Sequence, residues 1–460
     1  MSDPARPLAA ELEAPLIRVE PPGPRSRAVL ERLGRLAYPG LSAGLTPFAI
    51  ARKGGYTVED VDGNVYLDLA SASASVPLGA GREDLIEPAA VAIHKFGNED
   101  SHALVSELTA ELAERLIEIT PASLTRFDIA LNGTEAIEIA VKMMRRATGR
   151  SVVIGFFGSY HGESTTAAAL GAEHSEISRG LRGLVPGFVH VPYPHAYRSP
   201  FREPRPGGSG DATVDYMRDH VLFHAVDPSE VAGVVIEPVL GSGGCVAPPD
   251  PFWPALSELC REHDWLLCLD EVKTGFGRSG HLFASERWGL EPDLMCLGKA
   301  MGGGVMPIGA VLGSERAMGG YDDVPTGSTW SWLPASCAAA LATIDALERE
   351  PVLENVRELE RVGAERLARV RDRFEAVGDV RAVGCFQAIE FVRDRETKER
   401  AIELQDAVAA EACRNGVIAD SSTTSLNLQP SLLMPPDALG RAFDVIEAAI
   451  DSAVSERDRR

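Results

Sequence analysis

Residues 265–304, WLLCLDEVKTGFGRSGHLFASERWGLEPDLMCLGKAMGGG, constrain the fold more than any other stretch of the chain. Two apolar runs, residues 265–269 and 293–297, are each short enough for a buried strand, and polar residues and glycine follow each at once. One run leads into Asp270 and the other into Lys299. Ligands of open α/β sheets bind beyond the carboxyl ends of parallel strands, so an acid and an amine at two strand ends can converge on one ligand. The surrounding chain has the same rhythm. Strand-like residues 151–157 and 231–239 alternate with a helical pattern over 252–263, which predicts an α/β protein with a doubly wound, mostly parallel sheet.

The elements outside this core are also legible. Residues 54–70 read as a hairpin turning at Asp62 and Gly63 and belong to a small domain. Apolar spacing of three and four predicts helices over 107–119 and 134–146, the second opening directly after Gly133. Residues 192–210, rich in Pro, Arg and Gly, are expected as a surface loop or a lid. Helices are predicted from Pro334 to about 348 and over 352–376. A strand over 384–392, a helix over 399–415 and a last helix from Pro436 complete an α+β lobe. The expected division is a flexible arm over 1–27, small-domain residues 28–95, a large domain over 96–345, and a C-terminal small domain over 346–460.

With 460 residues the chain is long enough for two or three domains. Its net charge of -22 argues against nucleic acid or an anionic membrane as partner, since both attract basic surfaces. The N-terminal residues lack an uninterrupted apolar core behind a basic tip, so no signal peptide is expected. No run of about 18 apolar residues predicts a membrane span. Seven cysteines without C-x-x-C spacing read as reduced packing residues, and a cytoplasmic location is expected.

Three strings carry chemistry. Asn132, Gly133, Thr134 and Glu135 stand at a helix start, where backbone amides and a small hydroxyl seat a phosphate, though the same string also serves as a plain helix cap. Gly158 to Gly162 sets Tyr160 and His161 between glycines at a strand end. Tyr160 either stacks on a flat heteroaromatic ring or packs as a turn aromatic. Lys299, at the end of an apolar run and followed by glycines, is costly as a mere surface charge. Burial lowers the pKa of such an amine and makes it nucleophilic, and Lys273 is its rival. A lysine to form a Schiff base and a carboxylate to keep a ring nitrogen protonated are what pyridoxal 5'-phosphate requires, and Lys299 and Asp270 supply both.

Taken together, these strings resemble the class III pyridoxal-phosphate aminotransferases of fold type I, with five motifs in family order from about residue 28 onward. The resemblance implies a large domain with a mostly parallel seven-stranded sheet flanked by helices, and a smaller domain built from both chain ends. It implies that Lys299 forms the internal aldimine and shuttles the substrate proton. Asp270 is implied to pair with the pyridine nitrogen, Val272 and Tyr160 to sandwich the ring, Gly133 and Thr134 to hold the phosphate, and His161 to lie among the cofactor residues. Thr329 matches a threonine that reaches the phosphate of a neighbouring subunit, implying a homodimer with shared sites. Glu237 matches a glutamate close to the substrate. An amine donor and a carbonyl acceptor in a ping-pong reaction follow, with a mutase, racemase or elimination reaction as the alternative.

The chain departs from the family pattern in three places. Lys273 stands where glutamine usually follows D-E-V, so an ammonium is expected to face the cofactor's phenolic oxygen. Trp332 and Leu333 replace a glycine and an asparagine, implying a bulkier wall. Asn427 occupies the place of the arginine that clamps an α-carboxylate, which points to an amino sugar or polyamine and leaves Glu237 free to accept hydrogen bonds from it.

Overall fold

The computed structural model describes residues 13–38, 46–98, 100–101, 103–175, 179–181, 184–201, 208–320 and 323–459. The chain forms two compact units, Asp84–Leu353 and a second made of the residues up to Glu83 with those from Glu354 onward.

In the second unit, β1 (Ile50–Gly54), β2 (Thr57–Asp60) and β3 (Val65–Asp68) run antiparallel in sequence. The β2–β3 turn is made by its own chemistry. Gly63 takes φ 88°, and the Asp60 carboxylate accepts the amides of Asp62 and Asn64 at 2.9 Å each. Residues 13–27, expected as part of an arm, are tied down where they are described. Leu16 and Val65 exchange backbone hydrogen bonds of 2.8 and 2.9 Å, and Asn64 Oδ1 accepts the amides of Arg18 and Val19. A helix, Pro24–Gly34, follows with proline in its first turn, where the missing N–H costs nothing. Residues 1–12 lie outside the described residues.

The first unit is built on a seven-stranded sheet of β4 (Arg126–Ala130), β5 (Val152–Phe156), β6 (Phe188–Val191), β7 (Val231–Ile236), β8 (Leu266–Asp270), β9 (Leu294–Leu297) and β10 (Gly309–Gly313). The strand order is β4-β10-β9-β8-β7-β5-β6. The contiguous set β6-β5-β7-β8-β9 is parallel, and β10 is antiparallel to both its neighbours. Alternate side chains go to opposite faces. Ile154, Phe156, Leu267 and Leu269 pack with Phe252, Leu256 and Leu259 of the Phe252–Glu262 helix. Val153, Leu266, Cys268 and Cys296 pack with Ile137, Ala140 and Met144 of the Gly133–Thr148 helix. Both faces are therefore dry, which explains why the strands read as unbroken apolar runs.

The second unit continues with β11 (Val377–Val383), β12 (Phe386–Phe391), β13 (Val417–Ile418), β14 (Asp420–Ser421) and β15 (Leu426–Leu428). β13 extends the first small sheet, parallel to β3, and the others form an antiparallel sheet in the order β11-β12-β15-β14. The long Val352–Arg373 helix stops before residue 376 because β11 starts at Val377. The Pro436–Arg459 helix ends the chain. All seven cysteines are buried and none is joined in a disulfide, and among the described residues no helix is long and apolar enough to cross a membrane. Of the loop expected over 192–210, residues 202–207 lie outside the described residues.

Candidate active site

Neighbouring strands deliver the acid and the amine. Asp270 closes β8 opposite Cys296 of β9, and the chain leaves β9 through Gly298 into Lys299. Lys299 takes φ 44°, a left-handed conformation that costs a residue with a Cβ about 1–2 kcal/mol. Such outliers persist where surrounding structure holds them, often at functional sites. Burial, followed by the charge of Lys273, pushes the Lys299 amine down to about 8, while Asp270, Glu237 and Glu173 act in the opposite direction.

The Asp270 carboxylate is 4% exposed and held on both oxygens. Oδ1 accepts the Val272 amide at 3.0 Å, and Oδ2 lies 2.7 Å from His161 Nδ1. The other ring nitrogen, His161 Nε2, is buried without a partner. Buried polar atoms are nearly always paired, so an orphan at this position suits a site that receives a polar ligand.

Three glycines bring the separate strings into contact. A Cβ on Gly133 would overlap Cγ1 of Val272, and one on Gly162 would overlap the Thr134 hydroxyl. One on Gly298 would stand 3.0 Å from the Gly133 nitrogen. The helix start, the Tyr160 loop and the Lys299 turn therefore meet at distances only glycine permits. At the Gly133–Thr148 helix, Asn132 Oδ1 caps the Glu135 amide at 3.0 Å and the Asn132 carbonyl takes that of Ala136. The amides of Gly133 and Thr134 are the ones left for an external acceptor. A cavity of about 710 Å³ borders this start, lined by Asn132, Thr134, Glu135, Glu163 and Ser328 among others.

The remaining sequence candidates fall as follows. Tyr160 is partly buried, its hydroxyl donates to Glu163 at 3.2 Å, and burial pushes that hydroxyl up to about 12. Lys273 is 6% exposed in the turn after Asp270. Thr329 is exposed in its turn. Glu237, expected to be free for a substrate, already holds a backbone amide on each oxygen, Tyr160 at 2.8 Å and Gly241 at 2.9 Å. Burial and then Asp270 raise its pKa. Its observed work is to pin the Tyr160 loop to the end of β7. Trp332, expected as a wall, is fully buried instead. Its indole N–H donates to the Gly309 carbonyl at 2.6 Å, and its ring stacks on Phe127 at 5.3 Å.

The sequence reading passed over Glu271, although it adjoins Asp270. Fully buried, it accepts the Thr274 hydroxyl and the amides of Ala284 at 3.1 Å and Ser285 at 2.7 Å, folding residues 271–285 back over themselves. Asn427 is fully buried in β15, where it accepts the Ser425 hydroxyl at 2.7 Å. In the same unit, Arg381 and Arg400 are engaged by the buried Glu390 at 2.8 and 3.3 Å.

The Aminotransferase class-III family pattern matches residues 41–450. The chain belongs to the class III aminotransferases. It is a pyridoxal-phosphate-dependent transaminase, whose substrates are an amine donor and a carbonyl acceptor. Among similar proteins, an alanine/serine racemase of Pyrococcus horikoshii is 31% identical, with 98% of this chain and 95% of the relative covered. A 4-aminobutyrate aminotransferase of Mycobacterium tuberculosis is 32% identical, covering 94% and 97%. A solved amine transaminase from an uncultivated Pseudomonas species, in its pyridoxal-phosphate-bound form, superposes with TM-score 0.83 at 29% identity, covering 91% and 97%. The residues of this class III site suit pyridoxal phosphate. Helix-start amides without an intrahelical acceptor fit a phosphate, a carboxylate held on both oxygens fits a cationic ring nitrogen, and a buried amine with a lowered pKa fits an aldehyde.

Proposed function

We propose that this class III enzyme moves an amino group from a donor without an α-carboxylate, such as an amino sugar or polyamine, to a carbonyl acceptor in ping-pong order. Asn427 carries the substrate part of the reading. It replaces the guanidinium that grips an α-carboxylate in two parallel hydrogen bonds, and Arg381 and Arg400, already engaged by Glu390, do not substitute for it.

When bound, pyridoxal phosphate supplies an electron sink that acidifies the substrate carbon and a carbon that stores the amino group. Lys299 would hold the cofactor by its amine, and the same amine would move a proton to and from the substrate. Asp270, fixed by His161 and the Val272 amide, would keep the ring nitrogen protonated. Val272 and Tyr160 would flank the ring, Gly133 and Thr134 would hold the phosphate, and Lys273 would lie toward the phenolic oxygen. Glu237 acts by positioning Tyr160. The exposed Thr329 would reach the phosphate of a neighbouring subunit in a homodimer, and seven cysteines that form no disulfide support a cytoplasmic setting.

A second reading, racemisation, is favoured by the Pyrococcus relative. It begins with the same proton abstraction, so the fold does not separate the two. A screen of amino sugars, polyamines and amino acids, followed by the visible spectrum of the holoenzyme, separates them. Transamination bleaches the spectrum with donor alone and restores it with an acceptor. Racemisation exchanges the α-hydrogen for deuterium with no acceptor consumed. Selective turnover of α-amino acids would remove the substrate proposal.

A further inference from the structure

We propose that Gln429 helps to select the donor: its buried carboxamide binds a hydroxyl of the amine substrate, so the class this chain takes is a polyhydroxylated amine and not a polyamine. The proposal rests on the reading of Asn427 as the residue that meets the donor.

The pairing of β15 shows which way Gln429 is turned. Leu428 stands opposite Gln387 of β12, and directly opposed residues of an antiparallel pair share a face. Gln387 Nε2 donates to the Leu359 carbonyl at 2.9 Å, and a Cβ on Gly363 would overlap the same amide, so the Val352–Arg373 helix covers that face. Side chains alternate along a strand, which turns Asn427 to the opposite face, across from Ala388, itself across from Arg381. The Ser425 hydroxyl reaches Asn427 Oδ1 along this face, and the same two-residue step leads on to Gln429.

The charged groups of this face serve one another, with Arg381 held by Asp379 at 2.7 Å and by Glu390 at 2.8 Å. Gln429 differs. It is fully buried, and among the described residues neither its Oε1 nor its Nε2 has a hydrogen-bond partner. A buried amide left open at both ends is unfavourable, and it suits a place that a ligand completes. Its backbone N–H donates to the Leu69 carbonyl at 2.6 Å. Just past Leu69, Ser71, Ala72, Ser73 and Ala74 take φ of 44°, 51°, 57° and 67°. Left-handed residues that carry a Cβ are strained, and such strain gathers at ligand clamps. The chemistry of the partner follows from the amide itself. Oε1 needs a donor and Nε2 an acceptor. The protonated amines of a polyamine only donate, a carboxylate only accepts, and methylenes do neither. A hydroxyl does both, and two neighbouring hydroxyls serve both ends at once.

The test uses the full-length holoenzyme and glucosamine, cyclohexylamine, putrescine and alanine as probes. Titrating its visible spectrum with each gives an apparent Kd without any acceptor. Wild type should bind glucosamine more tightly than cyclohexylamine, and Gln429→Leu should cut that ratio about three- to tenfold. Gln429→Met repeats the measurement should the branched side chain not fit. Urea unfolding of the ligand-free protein supplies a readout that a merely structural role would move the other way. Both variants should keep or raise the midpoint, because the amide they remove is unsatisfied. A lower midpoint in both variants, or a glucosamine preference that persists in a folded variant, overturns the proposal. The reading beneath it fails separately: a wild type that prefers alanine would end the donor assignment, whereas one that prefers putrescine or cyclohexylamine would end only the role of Gln429.

Discussion

His161 Nδ1 lies 2.7 Å from Asp270 Oδ2, and both side chains are buried. The imidazole joins the Tyr160 loop to the end of β8 and holds one carboxylate oxygen while the Val272 amide holds the other. A hydrogen bond to a charged group contributes about 1.5–3 kcal/mol. His161→Phe should therefore lower kcat about ten- to a hundredfold with little change in KM, and should alter the visible spectrum of bound cofactor. Steady-state kinetics with a fixed donor check this, and an unchanged kcat would reduce His161 to packing.

Gly133 meets Val272 where a methyl group has no room. Gly133→Ala should destabilise the protein by about 1–3 kcal/mol in urea unfolding and weaken cofactor retention on dialysis. Adding Val272→Ala should restore part of the stability. A single variant as stable as wild type would contradict the contact.

The Lys299 amine sits at about 8 instead of its ordinary 10.5. Attachment of pyridoxal phosphate to cofactor-free protein should accelerate as pH rises through about 8 and then level off. An unshifted lysine would keep accelerating to about 10.4. The stability effect has a definite sign. Between these values the unfolded chain still binds the proton that the folded chain has lost, so this group makes the cofactor-free protein more stable as pH rises across that window. Stopped-flow absorbance measures the first effect and urea midpoints at two pH values the second.

Asn427→Arg restores the guanidinium common in the family. The ratio of kcat/KM for α-amino acid donors to that for simple amines should rise about tenfold, the worth of a charge-assisted pair. Because Asn427 is fully buried, the melting temperature should fall at the same time, so the ratio is the decisive readout. An unchanged ratio would detach substrate choice from this position.

Most of the large sheet was legible because its strands are buried on both faces and therefore apolar throughout, as in residues 265–269. The Glu107–Ile119 helix was legible to its ends, since Ser106 caps it and its apolar spacing does not break. The N-terminal stretch was not, because what holds Arg18 and Val19 is the side chain of Asn64, distant in sequence. Trp332 misled for a related reason: nothing local announces that Gly309 and Phe127 will receive its ring. The placing of Asp270 and Lys299 on adjacent strands followed from strand ends, whereas the occupied state of Glu237 depends on loop amides that no periodicity reports.

The central claim is that Lys299, and not Lys273, carries the cofactor. Reducing the holoenzyme with borohydride, digesting it and locating the pyridoxyl mass tests this most directly. The tag should fall on the Lys299 peptide, and Lys299→Ala should bind cofactor without any reducible linkage. A tag on Lys273, or a linkage that survives in Lys299→Ala, would contradict the assignment.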